Sequence, residues 1–235
     1  MDNFIRMVFP ATEIVTPQVP PKSPPKFHPS HPPSSTPSLA PLNMNLEEFF
    51  SSELILENES ILLCPLTIHH IDAIESISYS TELGEFGARV KSREDLTAYF
   101  NFCLDSKKEK ALYPLVIIRK KNNDPVGITM LGNISFQHRR LEIGWTWLGE
   151  KFQGTGANTI CKRLLLDYCF DNLNLRRVEF KIDINNLKSQ KAIEKLGAIK
   201  EGLLRNYNVQ SYGESKGTYV YSILKEEWRK VHRKG

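Results

Sequence analysis

Leu141 to Asn158 reads LEIGWTWLGEKFQGTGAN: an apolar, aromatic run, a short polar turn, then Gln153-Gly154-Thr155-Gly156-Ala157-Asn158 opening a helix. Small residues at a strand-to-helix junction leave backbone N–H groups bare and pointing one way. The first amides of a helix have no internal partners and sit at its positive dipole end, so this stretch reads as an anion cradle suited to phosphate. Upstream, Glu142 puts a carboxylate on the strand that leads into the cradle. Its carboxylate is a candidate to take a proton, or else to order a water or pair with a basic neighbour.

Three ligand classes use such a turn. A P-loop needs a lysine after its last glycine, and here Ala157 and Asn158 follow Gly156, which argues against nucleotide hydrolysis. A dinucleotide fingerprint needs a third glycine where this chain has Thr159, and it belongs after the first strand of a parallel sheet. The remaining class is a pyrophosphate that carries a transferable group, as in coenzyme A.

The elements that must position these residues follow from periodicity. Ile61–Leu66 reads as a first strand, and Thr67 as a cap for a helix carrying Ile68, Ile71, Ile74 and Ile77. Ser92 with Asp95 resembles a capping box that opens a second helix through Leu96, Tyr99, Phe100 and Leu104. Leu112–Lys120 and Val126–Ser135 form a hairpin about the turn Asn122–Pro125, and Leu141–Leu148 is the next strand. Gly156–Asn172 is amphipathic, with Ile160, Leu164 and Tyr168, and Cys161, Leu165 and Cys169, at intervals of four; Lys162, Arg163, Asp167 and Asp171 are expected outward. Arg177–Asp183 is a strand, Asn186–Leu196 a helix ended by Gly197, and Ala198–Asn206 and Thr218–Leu224 are strands around a polar loop, Gln210–Lys216. The order β-αα-βββ-α-β-α-ββ predicts an α/β domain with helices covering a mixed sheet.

Composition bounds the rest. Eleven of the 14 prolines lie between Pro10 and Pro41, so residues 1–43 are expected to be a disordered, proline-rich tail and 44–235 a single domain, with Met44 a candidate start. A net charge of +4 is too small to argue for nucleic acid. Cys64, Cys103, Cys161 and Cys169 lack paired spacing, and His69, His70 and His138 lack ligand spacing, so neither disulfides nor a metal site are expected. No apolar run approaches the ~20 residues that span a bilayer. The expectation is a soluble cytoplasmic protein without a membrane partner.

At this point the chain resembles the GNAT N-acetyltransferases. EIGWTWL followed by FQGTGAN is similar to their motif A, Gln/Arg-x-x-Gly-x-Gly/Ala. DINNLKSQKAIEKLGA is similar to the Asn-x-x-Ser…Lys-Leu-Gly signature of their second half, and EGLLRNY and YSILKEEW continue the likeness. The four signatures in order point to the branch of RimJ and RimL type, the ribosomal-protein N-acetyltransferases. The resemblance implies a GNAT-like acyl-CoA N-acyltransferase fold with a mixed, mostly antiparallel sheet and helices on both faces. It implies acetyl-CoA as co-substrate and a primary amine as acceptor, at a protein N-terminus or on a small molecule, by direct transfer in a ternary complex. A homodimer is left open.

Carried over by residue, the resemblance implies that the backbone of Thr146, Trp147 and Leu148 pairs with the pantetheine arm. The amides of Gln153, Gly154, Thr155, Gly156, Ala157, Asn158 and Thr159 hold the pyrophosphate, and Asn186 with Ser189 contacts the pantetheine. Glu142 occupies the position some members use as general base, and a backbone N–H near Leu148 is the expected oxyanion donor. Many relatives place a tyrosine general acid where this chain has Ala192, so Ser189 is the candidate for that role. Two other readings stand beside the enzyme: an acyl-CoA-binding sensor without turnover, and a ribosome-associated module using the basic C-terminus.

Overall fold

The computed structural model describes residues 44–79, 90–209 and 215–232. The proline-rich segment, most of the Gln210–Lys216 loop and the last three residues lie outside them. The described residues belong to one compact unit, Pro41–Gly235.

Chain order runs α1 (Leu46–Ser51), β1 (Leu56–Glu57), β2 (Ile61–Pro65), α2 (Ile71–Ser78), α3 (Arg93–Lys108), β3 (Leu112–Arg119), β4 (Asp124–Ser135), β5 (Arg140–Leu148), α4 (Ala157–Asp167), β6 (Arg177–Asp183), α5 (Leu187–Glu194), β7 (Ile199–Val209), β8 (Ser215–Leu224) and α6 (Lys225–His232). The strands make one sheet in the order β1-β2-β3-β4-β5-β6-β8-β7. Every pairing is antiparallel except β5 with β6. This is the mixed, mostly antiparallel sheet that the sequence implies.

Local chemistry explains the ends of the elements. Ser92 Oγ accepts the Asp95 N–H at 3.2 Å while Asp95 Oδ2 accepts the Ser92 N–H at 3.1 Å, so two orphan donors of α3 are satisfied reciprocally. Leu96, Phe100 and Cys103 then fall on one buried stripe. Gly197 takes φ +93° just past α5, the left-handed conformation that glycine adopts without strain. His70 Nδ1 accepts the Thr67 N–H at 3.1 Å, a capping role for one of the paired histidines.

The structure differs from the sequence expectations in five places. Ile68 sits in a 3₁₀ turn, Ile68–His70, and is exposed, so the buried stripe of the first long helix begins at Ile71. β7 and β8 extend further than expected because each supplies the other's backbone partners out to Val209 and Ser215. The fourth helix leaves α geometry at Tyr168 for a π-type turn through Asn172. Its buried stripe is Cys161, Lys162, Leu165, Leu166 and Cys169, which puts Lys162 inside rather than outside. α1 was not legible at all, although its Phe49 and Phe50 close on Tyr113 with ring centroids 5.2 and 5.8 Å away.

No helix among the described residues is long and apolar enough to cross a membrane.

Candidate active site

β5 is the element on which the site is built. It pairs along β4 but meets β6 at only three positions: Arg140 with Arg177, Leu141 with Val178, and Glu142 with Glu179. Beyond Glu142 the strands diverge, and β6 pairs with β8 along its whole length. From Ile143 to Leu148 the β6-facing edge of β5 therefore offers N–H and C=O groups without a sheet partner among the described residues, a place for an extended amide-bearing ligand. Trp147 and Leu148 are buried, and Thr146 is half-buried, so these residues present backbone rather than side chain.

A bulge shapes that edge. The register against β4 shifts between Ile128 and Met130, and Trp145 is held at φ +50°. The strands close so tightly here that a Cβ on Gly127 would lie 2.1 Å from the Trp147 carbonyl oxygen. Only glycine fits at Gly127.

The edge runs into the cradle. After a 3₁₀ turn at Glu150–Phe152, Gly154 and Gly156 take φ +76° and +88°, and α4 starts at Ala157. A Cβ on either glycine would meet nothing within 4 Å, so the space above the turn is open. Ile160 N–H makes the first α4 bond, to Gly156 O at 3.0 Å, and no side chain caps the helix. The amides of Ala157, Asn158 and Thr159 are thus the unfilled donors of a helix N-terminus. Asn158 is half-buried, with its Oδ1 shut off from solvent and without a partner among the described residues. Thr155 Oγ1 donates to Phe152 O at 2.7 Å and braces the turn.

The second predicted half of the site faces the first. Asn186 caps α5, its Oδ1 accepting the Ser189 N–H at 3.0 Å, which leaves its amide nitrogen for a ligand. Ser189 is half-buried, one turn on. Lys188 Nζ donates to Gln153 Oε1, and Gln153 Nε2 donates to Leu148 O at 3.2 Å. The start of α5, the cradle and the end of β5 are joined through one glutamine, and Lys188 brings a cation to the cradle that motif reading did not single out.

Glu142 sits where β5 and β6 begin to part. It is 3% exposed, and its Oε2 accepts both the Asn133 Nδ2 donor at 2.6 Å and the Lys181 ammonium. Oε1 carries no bond among the described residues and faces Gly144, where an added Cβ would stand 3.4 Å away. Burial pulls the Lys181 pKa down, but the Glu142 carboxylate, with help from Tyr207, more than offsets it and holds Lys181 above the ordinary lysine value. The Tyr207 ring lies 5.7 Å from Lys181 Nζ, and the Trp145 ring packs over Gly132 beside Asn133. Asn133 and Lys181 thus hold the carboxylate, with Tyr207 beside Lys181 and Trp145 over Gly132, the residue opposite Glu142 on β4. Sequence spacing could not find them, since Lys181 lies 39 residues from its partner.

Burial pushes the thiol of Cys103 up to about 12 and that of Cys161 to about 11, and it raises Cys169 and Cys64 too. A thiol held protonated is a poor acyl acceptor.

A splayed pair of parallel strands thus leads straight into an uncapped glycine turn. The chain belongs to the GNAT acetyltransferase family, whose domain model, "Acetyltransferase (GNAT) domain", matches residues 60–199. It is 36% identical over 112 residues to the uncharacterized N-acetyltransferase p20 of Bacillus licheniformis, covering 48% of this chain and 62% of that protein. It is 34% identical over 102 residues to YdaF of Bacillus subtilis (strain 168), by its name a ribosomal N-acetyltransferase, covering 43% of this chain and 55% of that protein. The chain thus spans 55–62% of the length of these two curated relatives. The solved structure of Mycobacterium smegmatis RimJ in complex with CoA-disulfide shares the fold at a TM-score of 0.61 and 21% identity, over 74% of this chain and 88% of that one.

Proposed function

We propose that this chain is an acetyl-CoA-dependent N-acetyltransferase that passes the acetyl group directly to a primary amine. The observation that carries the reading is the continuity of the unpaired β5 edge, Ile143–Leu148, with the open glycine turn and bare amides of α4. An extended chain of amides ending in a pyrophosphate matches that surface in order: amide-pairing edge first, anion cradle second. Thr146, Trp147 and Leu148 bind the arm by backbone, Gln153–Thr159 and Lys188 the pyrophosphate, and Asn186 the arm from the opposite wall.

The transfer itself needs a neutral amine. An alkyl amine of pKa ~10 is protonated at pH 7, and freeing it costs about 4 kcal/mol. Glu142 Oε1 is the acceptor for that proton, directly or through a water, while Asn133 and Lys181 hold Oε2 and so orient the carboxylate. The amine nitrogen then attacks the thioester carbonyl, the C–N bond forms and the C–S bond breaks; the nitrogen gives up its extra proton to solvent, and the thiolate takes one from solvent or from the Ser189 hydroxyl, which solvent reprotonates. β5 rises roughly 3.3 Å per residue, so Leu148 stands about 20 Å from Glu142. That span favours the bulge amides, Trp145 and Thr146, over Leu148 for the oxyanion contact, because they lie nearer the carboxylate. The acceptor is a protein N-terminus or a small-molecule amine; the branch that holds RimJ favours the former. A cytoplasmic setting accords with four thiols left unpaired.

Thiol release from acetyl-CoA over a panel of N-terminal peptides, polyamines and amino sugars tests this reading. Release with at least one amine is expected. Tight acetyl-CoA binding with no turnover on any of them favours the sensor that Ala192 suggests, and no binding removes both.

A further inference from the structure

Lys162 is the side chain that the transfer chemistry does not use and the fold does not explain. It is 3% exposed, on the sheet-facing side of α4. Its Nζ donates to Thr129 Oγ1 on β4 at 3.2 Å and to Thr146 Oγ1 on β5; the two hydroxyls are 2.7 Å apart, and Thr146 donates on to Gly144 O at 3.2 Å. The chain of donors runs from the buried amine across the bulge of the ligand-binding edge.

Among the described residues no carboxylate answers this charge. Glu57 on β1 is paired with Lys120, Asp124 on β4 with Arg119, and Glu142 on β5 with Lys181, while Asp167 on α4 accepts from Trp228 Nε1 and Asp171, beyond it, pairs with Arg229. On α4 itself Arg163 is exposed, and the titratable neighbour that acts on Lys162 is the Cys161 thiol, which burial keeps protonated. Burying an amine without a counter-charge disfavours its charged form, and the pKa of Lys162 falls to about 8. The nearest open place for anions is the start of its own helix, five residues away and roughly 7 Å along the axis.

We propose that Lys162 is a positioning residue of the donor half-site: its ammonium holds the β5 bulge through Thr146 and finds its counter-charge in the phosphates of the bound donor, so that donor binding tightens when Lys162 is protonated. This rests on the acetyl-CoA reading above. The sign follows from a base with a lowered pKa. Below about pH 8 the ammonium is present and binding is tight; above it the amine is neutral and binding weakens. If the charged form alone binds well, about a tenth of the molecules are competent at pH 9, and the apparent Kd rises about ten-fold over its value at pH 7.

The experiment is acetyl-CoA binding by calorimetry at pH 7, 8 and 9 and constant ionic strength, for the wild type, Lys162→Arg and Lys162→Met. The wild type is expected to weaken about ten-fold, Lys162→Arg to stay tight at every pH, and Lys162→Met to be weak and flat. Any pH dependence that does not pass through Lys162 would persist in Lys162→Met, and the difference between the two proteins is the readout. Thr146→Val, which removes only the bonded hydroxyl, serves if methionine prevents folding; weakened binding there supports the link, and wild-type affinity breaks it. A wild-type Kd that ignores pH, or a Lys162→Met Kd equal to the wild type at pH 7, overturns the proposal while leaving the donor reading intact. Absence of wild-type binding at any pH removes the donor reading and this inference with it.

Discussion

Gly156→Val is expected to lose acetyl-CoA affinity by about a hundred-fold while the protein stays folded. Two terms act, and they separate. The first is backbone strain: Gly156 holds φ +88°, where a β-branched residue costs ~1–3 kcal/mol. The second is occlusion. A Cβ at Gly156 meets nothing within 4 Å of the protein, so the new methyls collide with no neighbour and instead fill the space above the α4 amides. Losing two charge-assisted bonds of ~1.5 kcal/mol each gives ~3 kcal/mol, roughly a hundred-fold in Kd. Gly197→Val is the matching control, because Gly197 has φ +93° and an equally open Cβ position but lies at the far end of α5. It should show the strain in thermal melting and bind acetyl-CoA normally. Unchanged affinity in Gly156→Val would remove the cradle assignment.

The second large effect is expected at the acceptor side. Glu142→Gln keeps the shape of the side chain and can still offer an oxygen to Asn133 and Lys181, but it cannot take a proton. A positioned general base contributes about 10²–10⁴-fold, and a fall in kcat of at least about a hundred-fold at pH 7 is the expected outcome. The deficit should shrink toward pH 10, where about half of an alkyl amine of pKa ~10 is already neutral and needs no base. Acetyl-CoA affinity should hold, since Glu142 lies at the opposite end of β5 from the cradle. Because the change also uncouples Lys181 from a buried partner, thermal stability must be measured alongside, and a loss of fold would be seen there. Equal turnover by both proteins at every pH would strike Glu142 from the mechanism.

The cradle was legible because its chemistry is local. A strand, a turn that needs left-handed backbone, and an amphipathic helix follow each other within Leu141–Asn172, so residue types alone describe them. Ser92–Asp95 and Asn186–Gly197 were legible for the same reason: caps act over three or four residues. What could not be read is what the sheet brings together. β6 enters between β5 and β8, so Lys181 meets Glu142 across 39 residues, and Lys162 meets Thr129 across 33. Lysine is ordinarily a solvent-facing residue, and only the two hydroxyls on separate strands reveal why this one is not. The left-handed Trp145 is equally nonlocal, since the close approach of Gly127 on the neighbouring strand accompanies it.

The divergence of β5 and β6 also divides the molecule mechanically. Three backbone rungs join β1–β5 to β6–β8, and the bonds that reinforce them, Arg176 N–H to Arg139 O at 2.8 Å, Arg139 Nε to Asn174 O at 2.9 Å and Lys181 to Glu142, all gather at the same end. At the other end the described tie is Lys188 with Gln153. Such a sheet is expected to behave as two cooperative units on a short hinge, with the C-terminal one opening at a cost below that of global unfolding. A ligand lying in the gap would act as the missing rungs. Amide hydrogen exchange should therefore slow on acetyl-CoA addition throughout β6 and β8 as well as along Ile143–Leu148, whereas protection confined to β5 and the cradle would mean that the two units are not bridged.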